Sequence, residues 1–180
     1  MQPEPAGQKW KVRDATRADI AALAALSKKT FADKFGHIYS EADLNTFVEE
    51  AHSPAFYEDL FEKGADYLIR VAETEEGALA AYLVCSPLSL PAVNPDPSAV
   101  ELKRLYVDAP LQGRGLGSHF MDEAFIWAVA RGAKEMYLSV FSENEGAYRL
   151  YLRRGFEKVD EFFFPVGEHR DLEFLLRKTL

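Results

Sequence analysis

A single cysteine, Cys85, stands in the 180 residues, which excludes an intramolecular disulfide and any cysteine-rich zinc centre. A reducing, cytoplasmic setting is the simplest expectation for such a chain. No stretch approaches the roughly 18 consecutive apolar residues of a membrane span. Residues 1–9 carry Pro3, Glu4 and Pro5 and no apolar core, so a loose tail is expected there rather than a secretory signal. Positive charge is also in short supply. Twenty-one bases face 29 acids for a net charge of −8, which argues against a general binder of nucleic acid or anionic membrane, since phosphates need clustered Lys and Arg. The four histidines, His37, His52, His119 and His169, form no His-x-x-x-His pair, so no metal site is expected and each reads as packed or solvated. Repeats and low-complexity tracts are absent.

What remains is ordinary for a globular chain, with 48% hydrophobic and 28% charged residues. The length fits one domain, expected over residues 10–180. Residues 10–14 alternate as a strand. Thr16 with Asp19 looks like a capped helix start, followed by Ile20, Leu23, Leu26 and Phe31 at helical spacing. Ser40 with Asp43 suggests a second helix, and residues 56–63 a short third. Strands are expected over 66–72, 78–85, 100–107, 135–141, 156–165 and 170–176, with a proline-rich loop over 86–98. Helices are expected over 115–131 and 144–154. About seven strands and four or five helices make an α+β layered sheet. Phe162-Phe163-Phe164 puts aromatics on both faces of a late strand, which leaves core, a substrate wall and a dimer contact as readings.

The densest signal lies between Val100 and Ser118. A strand enters a turn at Asp108-Ala109-Pro110, then Gly113, Gly115 and Gly117 precede a helix. Glycines let a backbone approach a ligand closely, and a helix start offers unpartnered N–H groups with a positive dipole end. Together they suit a phosphate or pyrophosphate, with Arg114 adding charge. A Walker loop would need a lysine that is missing, and a dinucleotide fingerprint would need glycine where Ser118 stands. A plain strand-to-helix turn is the alternative.

Gln112-Gly113-Arg114-Gly115-Leu116-Gly117 resembles the Gln/Arg-x-x-Gly-x-Gly/Ala pyrophosphate loop of the GNAT (Gcn5-related N-acetyltransferase) superfamily, and Leu105-Tyr106-Val107 fits the strand before it. Asn144, Ala147, Leu150-Tyr151, Arg153 and Gly155-Phe156 resemble its second signature. The likeness is strong from about Val100 to Val159. It implies a GNAT fold: a mixed, mostly antiparallel sheet splayed between strands four and five, with the acetyl-CoA core over about 99–160 and acceptor-side helices over about 16–64.

The resemblance implies further that backbone groups of Leu105 and Val107, beside Tyr106, bond the pantetheine of acetyl-CoA. It implies that N–H groups from Gln112 to Ser118 hold the pyrophosphate. Asn144 and Ala147 would line the pantetheine path, and Arg153, where the family more often has lysine, would sit near the phosphates. Tyr151 would be the general acid for the departing thiolate; a packed helix aromatic is the other reading. Glu101, eleven residues before Gln112, stands where histone-acetylating members place a catalytic glutamate; an edge-strand surface acid is the other reading. Strict alternation would set Glu101, Lys103, Leu105 and Val107 on one strand face. Direct transfer needs no nucleophile, and neither Cys85 nor Ser142 has a base pattern beside it.

Phe31, Phe35, Tyr39 and Glu41 are the candidate acceptor residues. This region and the chain end are similar to bacterial spermidine/spermine N-acetyltransferases, which implies a polyamine acceptor. A protein amine, an amino-acid-like amine and a non-catalytic acyl-CoA-binding module stay open beside it. Residues 31–66 carry nine acids and two bases, a net of −7, and the remaining 144 residues carry only −1. That asymmetry favours attraction of a cationic amine, or simply a solvated helix pair.

Overall fold

The computed structural model describes residues 10–180, so the tail expected over residues 1–9 lies outside the described residues. Seven strands form one sheet: β1 (Trp10–Asp14), β2 (Leu68–Thr74), β3 (Leu79–Pro87), β4 (Val100–Val107), β5 (Glu135–Phe141), β6 (Glu157–Val166) and β7 (His169–Thr179). Five helices accompany them: α1 (Ile20–Phe35), α2 (Glu41–Ala51), α3 (Pro54–Glu62), α4 (Leu116–Ala130) and α5 (Glu145–Arg153). The sheet order is β1-β2-β3-β4-β5-β7-β6. All neighbours are antiparallel except β4 and β5, which α4 connects by the crossover that a parallel pair requires.

Local chemistry sets the helix starts. Asp19 accepts from the Thr16 N–H at 2.8 Å, and the Ser40 hydroxyl accepts from the Asp43 N–H at 3.1 Å. Each such cap is worth about 1 kcal/mol. The third helix begins two residues before its expected start. Ser53 caps it and Pro54 occupies the first turn, where a missing N–H costs nothing, so the proline starts the helix instead of delaying it.

Two apolar layers sandwich the sheet. On one face α4 buries Leu116, Phe120, Met121, Ala124 and Ala128 against Leu83, Leu102, Met136 and Leu138. On the other α1 and α3 bury Leu23, Leu26, Tyr57 and Leu60 against Val71, Tyr82 and Val84.

Two irregularities shape what lies between. The β4–β5 ladder consists of Val100↔Met136 and Glu101↔Tyr137, so the strands part beyond Glu101. Opposite β3, Val84 pairs with Arg104 while Cys85 pairs with Leu102, leaving Lys103 as the extra residue of a β-bulge. The bulge overturns the expected alternation. Val100 and Leu102 pack into the α4-side layer together with Leu105 and Val107, so Glu101 belongs to the opposite face with Arg104 and Tyr106. Glu101 is also 3% exposed in a central strand, not an edge acid.

The α1–α2 region is latched to the β6–β7 hairpin. Tyr39 donates to the Asp171 carboxylate, Asp43 accepts from the Glu168 N–H at 2.8 Å, and Phe47 meets Phe164 edge-on at 5.8 Å. Gly167 turns this hairpin at φ +59°, and a Cβ there would lie 2.8 Å from the Asp43 Cα. Gly167→Ala is expected to cost at least about 1–2 kcal/mol from the left-handed conformation alone. Thermal unfolding should show it as a fall of several degrees, roughly 2–8 °C for a chain of this size. An unchanged melting temperature would mean the latch carries no stability.

Candidate active site

The parting of β4 from β5 opens a cleft of about 950 Å³ across the middle of the sheet. One arm is formed by Leu105, Val107, Gln112, Gly117, Asn144, Ala147, Leu150 and Tyr151. The edge of β4 beyond Glu101 has lost its β5 partner, so its backbone can pair with an extended ligand. The Val107 carbonyl accepts from the Gln112 side-chain amide at 3.0 Å, which pins the glycine turn to the strand. Gly115 caps α4 at φ +83°, a conformation other residues adopt only under strain. It aims the first-turn N–H groups of α4 outward without partners. The Leu116 side chain is core, 1% exposed, so only its backbone can serve a ligand. Arg114 and Arg153 are exposed and have no ion pair among the described residues. Arg154, next to Arg153, is held by Asp122.

Asn144 caps α5 by accepting from the Ala147 N–H at 3.4 Å, leaving its amide nitrogen for the cleft. Tyr151, one helical turn beyond Ala147, packs edge-on against Phe156 at 5.9 Å. Burial pushes its phenol up, with a smaller contribution from Tyr106, so it remains protonated and able to donate. The phenol has no hydrogen-bond partner among the described residues. Cys85 is fully buried and its thiol is pushed up by burial and by Glu101, which removes it as a nucleophile.

The second arm is aromatic. Phe31 contacts Phe35, Tyr39, Phe47 and His52 at centroid distances of 4.9–6.0 Å, and Phe141 meets Phe35 edge-on at 6.1 Å. Three of the four expected acceptor residues, Phe31, Phe35 and Tyr39, therefore line the cleft. Glu41 does not. It is exposed in the first turn of α2, where an acid serves the helix dipole. The acidic segment as a whole points elsewhere: Glu49, Asp59, Glu62 and Asp66 pair with Lys28, Lys63, Arg17 and Arg131. Of its nine acids only Asp33 lines the cleft.

The acids that do face the aromatic arm come from β7, at the far end of the chain. Asp171 is 3% exposed; it accepts from Tyr39 and lies 3.1 Å from His169 Nε2. Glu173, two residues on, is pushed up to about 7 by burial and by Asp171, with the Ser139 hydroxyl working the other way. Glu101 is committed instead. Its Oε2 accepts from the Ser89 N–H and hydroxyl at 2.8 and 2.9 Å, and Lys103 lies 3.3 Å from Oε1. Sequence reasoning missed Asp171, Glu173 and Arg104. The only available signal was Asp171-Leu172-Glu173, an alternation on a closing strand with nothing to say which face meets the cleft.

Comparison with known proteins agrees with this architecture. The model of the Acetyltransferase (GNAT) family matches residues 29–156. The chain is 28% identical over 172 residues to an uncharacterized N-acetyltransferase in the pepI 3′ region of Lactobacillus delbrueckii subsp. lactis, covering 94% of this chain and 97% of that one. A shorter likeness, 40% over 67 residues, links it to a Bacillus subtilis subsp. natto protein named "Probable spermine N(1)-acetyltransferase", covering 36% of this chain and 43% of that one. In three dimensions it is similar to PaiA N-acetyltransferase from Thermoplasma acidophilum, solved in complex with coenzyme A. The TM-score there is 0.76 at 19% identity, with 96% of this chain and all of that one covered. With two thirds of its length matched by the family model and its sheet parted between β4 and β5, the chain belongs to the GNAT family of acetyltransferases.

Proposed function

We propose that this protein transfers acetyl from acetyl-CoA directly to a primary amine, both held in one cleft. The observation that carries the reading is the continuity of that cleft. A free strand edge and a glycine-turned helix start lie on one arm, an aromatic box over the buried Asp171 and half-buried Glu173 lies on the other, and Tyr151 and Tyr106 line the passage. In this reading the N–H groups from Gly113 to Ser118 take the pyrophosphate, Arg114 and Arg153 add charge, and the pantetheine runs along Leu105–Val107 past Asn144 and Ala147.

The acceptor enters as an ammonium with pKa near 10.4 and must lose a proton before its lone pair can attack. Glu173 is the better-placed acceptor of that proton. The Ser139 hydroxyl is its one donor among the described residues, against the N–H, hydroxyl and ammonium that hold Glu101, and a carboxylate that titrates near 7 takes up an amine proton at about 3 kcal/mol less cost than an ordinary one. The nitrogen then bonds to the thioester carbonyl carbon, the C–S bond breaks as Tyr151 protonates the sulfur, and the tyrosinate recovers a proton from the nitrogen, which sheds its second N–H proton as the amide forms. Glu101, through Ser89 and Lys103, fixes the bulge beside the reacting carbonyl; a direct role as base is the competing assignment, tested with Glu173 below.

A polyamine is one acceptor class consistent with two carboxylates and aromatic walls. Its support is the 67-residue likeness, since the acid surplus of residues 31–66 faces solvent. The cofactor half of the reading is tested by thermal unfolding. Acetyl-CoA at a hundredfold excess over Kd stabilises by about 2.7 kcal/mol, which should raise the melting temperature by roughly 5–10 °C. No rise at millimolar acetyl-CoA would remove the assignment.

A further inference from the structure

Arg104 is a cation without an anion. It lines the acceptor arm, and no carboxylate lies within ion-pair distance of it among the described residues. Its Nη1 donates to Tyr57 Oη at 3.0 Å and lies 3.3 Å from His52 Nδ1, and its guanidinium sits 4.2 Å over the Phe56 ring. A guanidinium has no lone pair to offer, so Nδ1 is the accepting nitrogen of His52. Burial and the Arg104 charge push His52 down to about 2, so it stays neutral and compensates nothing. The Ser27 hydroxyl, 2.7 Å from the same Nδ1, holds the ring in place.

The partners thus account for one terminal nitrogen and one face of the group. Nε and Nη2, with three N–H bonds along the planar edge that suits a carboxylate, have no partner among the described residues. Arg104 is half-buried and lines the cleft, so this free edge is open to a planar anion bound there. Acetyl-CoA's own phosphates are claimed by the glycine turn at the other arm. Lys103, next along β4, is already paired with Glu101.

We propose that Arg104 is an anion subsite for the acceptor, so that the acceptor is an amino-acid-like zwitterion with its carboxylate on Arg104 and its amine toward Glu173. Arg104, Tyr106 and Glu173 all line the same cleft, so one acceptor lying across Tyr106 can meet both charges. A carboxylate fits this arm better than a phosphate, because Asp171 and Glu173 would repel a dianion more strongly. Polyamines carry no anion and would leave the guanidinium unpaired.

This inference refines the proposed acetyl transfer and rests on it for turnover, though not for binding. The experiment compares free amino acids and ω-amino acids with their carboxamides. It uses coenzyme A release for rate and calorimetric titration into the coenzyme A-bound protein for affinity. The wild-type protein is expected to prefer at least one acid over its amide by about 10²-fold in kcat/KM. Arg104→Met should abolish that preference, chiefly through KM, while leaving the amide within a few-fold; Arg104→Lys, which restores charge without the fork, should recover it in part. Acid and amide used equally by the wild type would overturn the subsite. So would Arg104→Met lowering both equally, the mark of a structural role, or spermidine outperforming every acid with Arg104→Met unaffected. If Arg104→Met does not fold, Arg104→Lys and the wild-type acid–amide comparison decide. Acid-selective binding that Arg104→Lys weakens, without turnover, would keep the subsite and sink the acetyl-transfer reading. Failure of every acid to bind would sink the subsite.

Discussion

Glu173→Gln is expected to lower kcat/KM by about 10²–10⁴-fold, the usual range for a general base, and to remove the acid limb of the pH profile near pH 7. Below that pH the half-buried carboxyl holds its proton and cannot take one from the incoming ammonium; above it the carboxylate is free to accept. The groups facing Glu173 are Asp171 on its own strand, Ser139 on β5, Tyr106 on β4 and Tyr39 between α1 and α2, with His169 against Asp171. Both tyrosines are pushed up and remain neutral through this range, so neither supplies the limb. The sign of the stability effect provides a second readout. The folded pKa lies above the unfolded value, so the native state holds the extra proton between about pH 4.5 and 7 and loses stability as pH rises through that window. Gln cannot ionise, so the variant should gain melting temperature relative to the wild type at pH 8 and not at pH 4.5. Glu101→Gln, in contrast, should keep the limb. If Glu101→Gln erased it and Glu173→Gln did not, the base would be Glu101.

Tyr151→Phe is expected to lower kcat by about 10²–10⁴-fold with little change in the KM for acetyl-CoA. The substitution keeps the ring against Phe156 and removes only the hydroxyl, so packing is preserved. The departing thiolate derives from a thiol of pKa near 8.5, and a neutral hydroxyl lining the cleft is the donor that makes it a better leaving group. Because burial pushes the phenol up, its own ionisation lies beyond the working pH range and should contribute no alkaline limb below pH 10. A kcat equal to the wild type would remove Tyr151 from the proton path.

Much of the glycine-turned arm of the cleft was legible before any coordinates because its signals are local. Glycines at 113, 115 and 117, a capping Asn144 and a tyrosine one helical turn past Ala147 all act within a few residues of each other. The backbone conformation each needs is written in the residue itself. The acceptor arm behaves differently. Phe31, Phe35 and Tyr39 stood out as an aromatic run, but Glu41 was selected by charge alone, and its place in the first turn of α2 turns it to solvent. Glu101 fell on the unexpected strand face because one bulge at Lys103 shifted the alternation, and a bulge is a relation between two strands.

By itself the sequence determined the element order, the glycine turn that can receive a pyrophosphate, and the tyrosine beside it. These follow from intrinsic φ/ψ preferences, capping and hydrophobic period, which act along the chain. Only the tertiary structure decided where the charge meets the cleft. It turned the acid surplus of residues 31–66 outward into pairs with Lys28, Lys63, Arg17 and Arg131. It brought Asp171 and Glu173 from β7 beneath aromatics of α1, and left Arg104 of β4 among neutral rings. Net charge sums over a chain without regard to direction, whereas burial, ionisation and ligand attraction depend on which face each side chain occupies and what excludes water around it.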